Sequence, residues 1–292
     1  MPTVNIISNI VVQINRYIPI SILIFGLLGN ILNILIFTRR SLIKNPCAIY
    51  FLCSTIVNIN VLLFGCVLRS LDDSFGIDPT STSLLFCRLR YYILHCSVVL
   101  SSWFTVLAGI DRYCISSQDH QRRRLSNKRS AHYLVVLTTL ICLVIYSHVL
   151  GLFQIEQLIT GPYCYAQDGT YRIFYDFFYF TTFSFIPPIL MIIIGLATFH
   201  NIHYSRAHAS PNVITLLHDN HHLKKRDRQL ISMLLIQLIT VVICTLPIAI
   251  QKLYTTFTAH IPKSTYRLAI ENLIVSITRQ LVYINSSTSF YV

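Results

Sequence analysis

The sequence predicts an all-α protein, a seven-transmembrane helical bundle with its N-terminus outside the cell. Of the 292 residues, 54% are hydrophobic and only 12% are charged, which is about half the charged fraction of a typical soluble domain. The mean hydropathy is correspondingly high, at +0.60. The apolar residues also gather in seven long runs, each with about the 20 residues that a helix needs to cross the hydrocarbon core of a bilayer.

The seven runs are interpreted as helices because backbone polar groups inside a bilayer must be satisfied within their own segment. Their predicted bounds are Tyr17–Phe37, Cys47–Leu71, Leu84–Ile115, Ala131–Gln154, Tyr175–Ile202, Leu230–Tyr254 and Tyr266–Val292. Residues 1–16 are then a short extracellular tail, and residues 17–292 form one seven-transmembrane domain. Because the chain ends inside the seventh run, we expect a C-terminally truncated fragment.

The orientation is predicted from the basic residues, which are concentrated in alternate loops. The loops after the first, third and fifth runs hold most of the 23 lysine and arginine residues. Short basic loops stay in the cytoplasm, so we expect a multi-pass protein of the plasma membrane with an extracellular N-terminus. The net charge of +12 is then explained by attraction to anionic membrane lipid. No basic segment is interleaved with aromatic residues as in nucleic-acid-binding domains.

Two features at opposite ends of the third run are informative together. Asp111-Arg112-Tyr113 stands at its cytoplasmic end, and Cys87 precedes Arg112 by 25 residues at its outer end. Another cysteine predicted on the outer side, Cys164, lies in the loop after the fourth run. The combination resembles the rhodopsin-like (class A) G-protein-coupled receptors, and the chain is similar to invertebrate peptide-type receptors. The resemblance implies a disulfide between Cys87 and Cys164 that holds the outer loop over a pocket.

The sixth run carries Cys244-Thr245-Leu246-Pro247, which resembles the family's Cys-Trp-x-Pro motif with threonine in place of tryptophan. A proline inside a membrane helix bends the helix at a defined place, and neighbouring helices satisfy the freed carbonyl. The resemblance implies that Cys244, Thr245 and Pro247 form an activation switch, about which the sixth helix swings outward when a ligand binds.

Polar side chains recur inside the apolar runs at positions of the family pattern. Asn58 stands where an aspartate is usual, which disfavours a sodium site, and Ser289-Phe290 replaces the family's Asn-Pro. The residues expected to form an inter-helix polar network are Asn30, Asn58, Ser101, Asn285 and Ser286. The alternative is that they only pack helices together, since interhelical hydrogen bonds average well under about 2 kcal/mol.

The resemblance also implies a site for G-protein coupling with a resting-state lock, formed by Asp111, Arg112, Tyr113 and Asp227. An arginine at a membrane face is costly unless it is paired or hydrated. Asp111 is its local partner, and Asp227 lies 20 residues before Pro247, near the inner end of the sixth run. A bridge from Arg112 to Asp227 would hold the third and sixth helices together. The alternative is that Asp227 only neutralises the cations beside it.

The ligand side is predicted from three arginines. Arg69, Arg90 and Arg279 fall near the outer ends of the second, third and seventh runs, and arginine suits a carboxylate or an acidic peptide group. Leu94 stands where amine receptors have an aspartate, and Tyr283 stands where opsins have the retinal lysine. These substitutions disfavour a monoamine and a covalent chromophore, so an extracellular peptide is the favoured ligand. The alternative partners of the three arginines are nearby acids: Asp72, Asp73 and Glu271.

These features together predict a G-protein-coupled receptor that binds an extracellular ligand and activates a heterotrimeric G protein. A seven-helix binder with weak or no signalling is the main alternative, favoured by Thr245 and by Ser289-Phe290. A membrane transporter is less favoured, because no acidic residue lies in the middle of a run and no inverted repeat is visible. No catalytic, phosphate-binding or metal motif is present, so we expect no enzyme activity, no cofactor and no metal.

Overall fold

The computed structural model describes residues 2–76, 78–158, 161–207, 217–258 and 261–291, and within them seven long helical spans follow one another. Their bounds are Pro2–Phe37; Pro46–Val61 continued by the π-helix Leu62–Val67 and by Leu68–Phe75; Leu84–Ser116; Lys128–Ile145 with His148–Leu152; Thr170–Tyr179 continued by the π-helix Phe180–Phe185 and by Ile186–Ala207; Leu217–Phe257; and Thr265–Ser287. Shorter helices are Pro79–Thr82, His120–Leu125 and the 3₁₀ turn Thr288–Phe290.

The first six spans are long and apolar enough to cross a membrane, judged on the described residues alone. The seventh span has 23 residues, which is about 35 Å of helix and long enough to cross, but it is less apolar. Its polar side chains Ser276, Gln280 and Ser286 are buried in the bundle, whereas Ile274 and Ile277 are 45% and 44% exposed. The seventh span therefore presents its apolar side outward and its polar side to the other helices.

The outside of the bundle is apolar, as a lipid environment requires. Val144 on the fourth span and Phe199 on the fifth span are 71% and 69% exposed. The third span is the most enclosed of the helices, and its buried residues include Asp111 and Arg112 as well as apolar side chains. Polar groups thus lie inside, where they can find partners, and the apolar side chains that cannot be buried face outward.

Polar capping residues begin several of the spans. Asn45 precedes the second span and accepts a hydrogen bond from the Cys47 backbone N–H, with Pro46 at the first helical position. Ser83 and Ser264 cap the third and seventh spans in the same way. A capping side chain satisfies one of the free backbone N–H groups at a helix start and contributes about 1 kcal/mol. These caps define the residues at which the second, third and seventh spans begin.

Proline and π-helical turns make the fifth and sixth spans irregular. The π-helix Phe180–Phe185 ends two residues before Pro187-Pro188 begins, and Pro247 lies inside the sixth span. Trp103 Nε1 of the third span donates to the Thr182 carbonyl in the π-helix at 3.2 Å. A widened turn weakens the helix's own hydrogen bonding, and the indole of the third span supplies a partner there.

Some helix ends differ from the sequence prediction. The first helix begins at Pro2 rather than at Tyr17, because the segment between them contains apolar residues at helical spacing and no interior proline or glycine. The fourth span ends at Leu152, and Phe153 and Gln154, predicted as helix, begin a strand instead. The run of apolar residues continues through this point, so hydropathy alone does not mark the change.

An antiparallel hairpin follows the fourth span, made of β1 (Phe153–Leu158) and β2 (Gly161–Ala166). The register places Phe153 opposite Ala166 and Ile155 opposite Cys164. Phe153 and Ala166 are fully buried, so the base of the hairpin inserts into the helix bundle. The sequence prediction had no strand, and this hairpin is the one element that departs from an all-helical chain among the described residues.

Candidate functional site

The end of the bundle that contains the hairpin is closed by a disulfide, and we call it the disulfide end. Cys87 at the start of the third span is bonded to Cys164 in β2, with a Cα–Cα distance of 5.9 Å and a sequence separation of 77 residues. Arg88 Nε adds a hydrogen bond to the Phe153 carbonyl at 2.9 Å. The disulfide that the family resemblance implied is therefore present, and both strands are fixed to the third span.

The opposite end holds a buried ion pair, and we call it the Asp-Arg end. Arg112 Nη2 lies 2.9 Å from Asp111 Oδ2, and each side chain is only 3% exposed. Burying charges is costly unless they are paired and hydrogen-bonded. The pair is therefore held in a closed arrangement, in which the guanidinium is covered by neighbouring groups rather than presented to the surface.

Two residues that the sequence did not single out complete this pair. Asn45 Oδ1 accepts from Arg112 Nη2 at 2.7 Å, and it is also the cap of the second span. Ser126, which follows the short helix His120–Leu125, donates its hydroxyl to Asp111 Oδ1. Both contacts come from loops beside the third span. A cap residue next to a run of basic residues is a weak sequence signal, so only the tertiary structure identifies them.

The remaining predicted residues at the Asp-Arg end lie apart from the buried pair or outside the described part. The Tyr113 hydroxyl accepts from Arg122 Nη1 at 2.6 Å, and the same guanidinium lies 5.9 Å from the Tyr113 ring centroid. Asp227 belongs to the sixth span by sequence, but its side chain lies outside the described residues. The bridge from Arg112 to Asp227 therefore stays a prediction.

The predicted polar network falls into two separate groups. In one, Ser101 Oγ of the third span donates to Asn58 Oδ1 of the second span at 2.7 Å, and Ser54 Oγ lies 3.1 Å from the same hydroxyl. In the other, Asn30 Nδ2 of the first span donates to the Ser286 carbonyl at 3.1 Å.

Close backbone approach makes the second group possible. A Cβ on Gly26 would lie 2.7 Å from Ser287 Cβ, so the first and seventh spans meet at a glycine. Ser289 Oγ donates to Asn30 Oδ1 at 3.3 Å, and Asn33 Nδ2 donates to Ser289 Oγ at 3.2 Å. The Asn285 side chain makes no hydrogen bond with the described residues. The network thus ties the first and seventh spans and does not run continuously to Asn58.

The predicted activation switch is buried in the sixth span. Cys244 is 5% exposed, Thr245 is fully buried, and Pro247 lies inside the helix. The Thr245 carbonyl accepts from Ser184 Oγ in the π-helix of the fifth span at 3.1 Å. The Thr245 hydroxyl has no hydrogen-bond partner among the described residues. The two irregular spans, five and six, therefore meet at this point.

The three arginines of the predicted ligand site have different local contacts. Arg69 Nη1 pairs with Asp72 Oδ2 at 2.8 Å. Arg279 Nη2 lies 3.4 Å from Ser276 Oγ within the seventh span. Glu271, which the sequence offered as a partner, pairs instead with Lys263 at 2.6 Å and with Arg267 at 3.0 Å.

Arg90 is buried at the disulfide end, at 6% exposure. Its Nε donates to the Phe64 carbonyl at 3.1 Å, and its Nη1 lies 3.4 Å from Thr80 Oγ1 and 3.8 Å from Asp78 Oδ1. Phe64 belongs to the π-helix of the second span, whose irregular hydrogen bonding leaves carbonyls for other donors. Arg90 therefore joins the third span to the second span and to the loop between them.

The guanidinium groups of Arg69, Arg90 and Arg279 all lie close enough to the Tyr283 phenol to interact with it electrostatically. Tyr283 is 5% exposed. A Cβ on Gly65 would lie 2.8 Å from Tyr283 Cε1 and 3.0 Å from Leu94 Cδ1, so Leu94 and Tyr283 meet beside this glycine. The five predicted ligand residues thus converge on one region between the second, third and seventh spans.

A polar cluster on the other side of the bundle was missed by the sequence prediction. It joins Asp176 of the fifth span, Tyr165 of β2 and Lys252 of the sixth span. The Tyr165 hydroxyl donates to Asp176 Oδ1 at 2.6 Å and accepts from Lys252 Nζ at 3.0 Å. Asp176 is 1% exposed. The sequence signal was present, because an acid in the fifth run and a lysine five residues after Pro247 are charges that a bilayer disfavours.

The chain matches the family described as 7 transmembrane receptor (rhodopsin family) over residues 29–288. The matched region begins inside the first span and ends just after the seventh, so it includes part of the first span, the other six spans, the disulfide end and the Asp-Arg end. No curated protein matches the chain. The seven-helix bundle, the apolar spans and the family match agree on a multi-pass membrane receptor. The chain therefore belongs to the rhodopsin family of seven-transmembrane receptors.

Proposed function

We propose that this receptor binds an extracellular ligand at the disulfide end and activates a heterotrimeric G protein at the Asp-Arg end. In this proposal the N-terminus and the hairpin are extracellular. The loops rich in lysine and arginine, among them residues 39–44 and 122–129, then lie in the cytoplasm, in agreement with the tendency of basic loops to remain there. The protein would reside in the plasma membrane and contact anionic lipid through the same loops.

The observation that supports the proposal most is the buried pair of Asp111 and Arg112. Arg112 has donors in a rigid planar group, but here they are directed at Asp111 and Asn45. If the loops carrying Asn45 and Ser126 move away, the pair loses two of its partners and the guanidinium becomes available to another protein. A charged donor released in this way is well suited to hydrogen-bond with backbone carbonyls or carboxylates of a G protein.

The sixth span provides the movement in this proposal. Pro247 bends the helix, and the contact between Ser184 and the Thr245 carbonyl links the bend to the π-helix of the fifth span. A ligand that rearranges this contact would swing the inner half of the sixth span away from the third span. Asp227 lies on that inner half, and we propose that it holds Arg112 in the resting state.

We further propose that the ligand is a peptide with an acidic or carboxylate group. The convergence of Arg69, Arg90 and Arg279 on Tyr283 supports this choice, because their summed positive charge attracts an anion. Arg69 already pairs with Asp72, so an incoming carboxylate would add to an existing ion-pair network rather than meet free cations.

The test is a screen of extracellular peptides on the receptor reconstituted with G protein, with nucleotide exchange as the readout. An activating peptide should keep its affinity for the Arg112→Ala variant but should no longer stimulate exchange. Arg129→Ala, at an exposed arginine near the same end, is the matched control and should signal normally. Equal stimulation of wild-type receptor and the Arg112→Ala variant would contradict the proposed coupling site.

A receptor that binds ligand but signals weakly is the second candidate. The specific observation that favours it is Thr245, which stands where the family has a tryptophan and whose hydroxyl has no partner among the described residues. The same screen separates the two candidates. Saturable binding of a peptide without any nucleotide exchange would favour the weakly signalling receptor, and uptake of the peptide would instead indicate a transporter.

A further inference from the structure

A lysine of the sixth span is enclosed by three tyrosine rings. Lys252 Nζ lies 4.8 Å from the ring centroid of Tyr179, 4.9 Å from that of Tyr165 and 5.5 Å from that of Tyr175. An ammonium within about 6 Å of an aromatic face is attracted by the negative face of the ring. We call these three residues the tyrosine cage. It is formed by β2 and the fifth span, and it fixes the position of the ammonium.

The ammonium uses only part of its hydrogen-bonding capacity. A lysine has three N–H donors, and Lys252 donates one of them to the Tyr165 hydroxyl at 3.0 Å. Among the described residues no carboxylate lies within 4.0 Å of Lys252 Nζ, so it forms no ion pair there. A cation that is enclosed in a bundle usually has a directly bonded anion, and here that position is not taken by the protein's described part.

The nearest acid is already committed to other donors. Asp176 Oδ1 accepts from the Tyr165 hydroxyl at 2.6 Å, and Asp176 Oδ2 accepts from Thr256 Oγ1. Tyr165 therefore stands between Lys252 and Asp176 and accepts from the first while donating to the second. The carboxylate stabilises the ammonium at a distance, but within the described part of the chain it leaves the two remaining donors of Lys252 without a direct acceptor.

A second polar group lies beside the same rings. His95 of the third span packs edge-to-face on Tyr175 and Tyr179, with ring centroids 5.5 Å and 5.3 Å away. Its Nε2 is 2.8 Å from the Tyr175 hydroxyl. The other nitrogen, Nδ1, interacts with the Tyr91 carbonyl of its own helix, so His95 braces the tyrosine rings from the third span.

We propose that Lys252, held in the tyrosine cage, forms an anion subsite that takes a carboxylate of the extracellular ligand. This inference rests on the proposed function and deepens it, because it names a position for an acidic group between the third, fifth and sixth spans. The subsite is separate from the arginines around Tyr283, on the side of the second and seventh spans. The tyrosine faces hold the ammonium in place and also offer stacking surfaces for an aromatic portion of the ligand.

The subsite is tested on the purified full chain, without G protein, by thermal unfolding in the presence of 3-phenylpropionate. This probe joins a carboxylate to a ring that can stack on the cage, and 3-phenylpropionamide is its uncharged control. The acid should stabilise the wild-type chain in a concentration-dependent way, and the amide should not. Because no nucleotide exchange is measured, a failure of G-protein coupling does not affect the result.

Three lysine variants, together with Asp176→Asn, make the test specific. Lys252→Met removes the charge and keeps an unbranched apolar side chain, so the apparent affinity for the acid should fall by about tenfold or more. Lys252→Arg keeps the charge and should retain binding. Lys263→Met changes a lysine that pairs with Glu271 at 2.6 Å and lies over Tyr254 rather than over the tyrosine cage. It should bind the acid within about twofold of the wild type, because it lies apart from the subsite.

Asp176→Asn distinguishes an anion subsite from a purely structural cluster. Removing the nearby negative charge should strengthen binding of the acid, whereas general damage to the cluster would weaken it. The proposal is overturned if the acid binds no better than the amide, or if Lys252→Met binds it as well as the wild type. Should Lys252→Met fail to fold, weaker binding by Asp176→Asn or loss of binding by Lys252→Arg would overturn it equally.

Discussion

Replacing Asp111 by asparagine perturbs the buried pair with almost no change in shape. In the wild type, Asp111 accepts from Arg112 Nη2 at 2.9 Å and from the Ser126 hydroxyl, with both members of the pair 3% exposed. Asparagine can still accept one hydrogen bond, but it carries no charge. The variant therefore removes the ionic part of the interaction and leaves Arg112 buried with a neutral partner.

The size of the effect follows from the strength of the bonds that change. Hydrogen bonds to charged groups contribute about 1.5–3 kcal/mol, and neutral ones about 0.5–1.5 kcal/mol. Arg112 keeps its charge in the variant, so it is the Ser126 bond that becomes neutral on both sides. For that change the closed arrangement should lose on the order of 1.4 kcal/mol, which corresponds to about tenfold in an equilibrium constant. If the open arrangement is the one that engages the G protein, ligand-free nucleotide exchange should rise by up to about tenfold in Asp111→Asn.

The assay is nucleotide exchange by G protein mixed with reconstituted receptor in the absence of any ligand. Asp119→Asn is the matched control, because Asp119 lies at the same end but pairs with Arg122 at 3.6 Å with both side chains about half exposed. Exposed pairs contribute about 0–1 kcal/mol, so this variant should exchange at the wild-type rate within about twofold. Equal rates for both variants and the wild type would refute the view that the pair restrains the receptor.

Three further predictions concern stability and are read from the midpoint of thermal unfolding. Cys164→Ser opens a 77-residue loop, which should cost about 4–5 kcal/mol of chain entropy; an unchanged midpoint under non-reducing conditions would mean that the disulfide contributes nothing. Gly26→Ala places a methyl group 2.7 Å from the seventh span and should lower the free energy of unfolding by about 1–3 kcal/mol. Gly151→Ala is the control, because its new methyl group has no atom within 4 Å, and it should not destabilise the protein. Ser101→Ala leaves Asn58 Oδ1 without its 2.7 Å donor and should cost about 1–3 kcal/mol; a neutral result would show that the Asn58 oxygen finds another donor.

The spans were predictable because a bilayer imposes one simple requirement on sequence. Each crossing needs a long apolar segment, and the seven predicted runs all fall on helical spans of the structure. The ends were predicted less well, as the fourth span shows. Phe153 continues an apolar run, yet it begins β1, because its burial depends on the hairpin and the third span rather than on local periodicity.

The contacts at the two ends of the third span were predictable only where the family resemblance marked them. That resemblance implied the disulfide between Cys87 and Cys164, and the adjacent Asp111 was expected as the local partner of Arg112. Asn45 could not be predicted, because its contact with Arg112 joins residues 67 positions apart and depends on how the second and third spans pack. A contact between residues so far apart in the chain leaves no pattern in the local sequence.

Lys252 illustrates a different reason for a missed residue. A single lysine near the end of an apolar run usually extends its charge toward the membrane surface. Here it turns inward, because Tyr165 arrives from β2 and supplies both an aromatic face and a hydroxyl at 3.0 Å. Because the hairpin was not predicted, the contact between Tyr165 and Lys252 could not be predicted either.

The orientation on which the proposed function depends places the disulfide end outside the cell and the Asp-Arg end in the cytoplasm. It is tested most directly by epitope tags, one at the N-terminus and one inserted between Ser210 and Pro211, with antibody staining of cells before and after permeabilisation. We expect the N-terminal tag to be stained on intact cells and the second tag to be stained only after permeabilisation. Staining of the second tag on intact cells would contradict the orientation and, with it, the assignment of Arg112 to G-protein coupling.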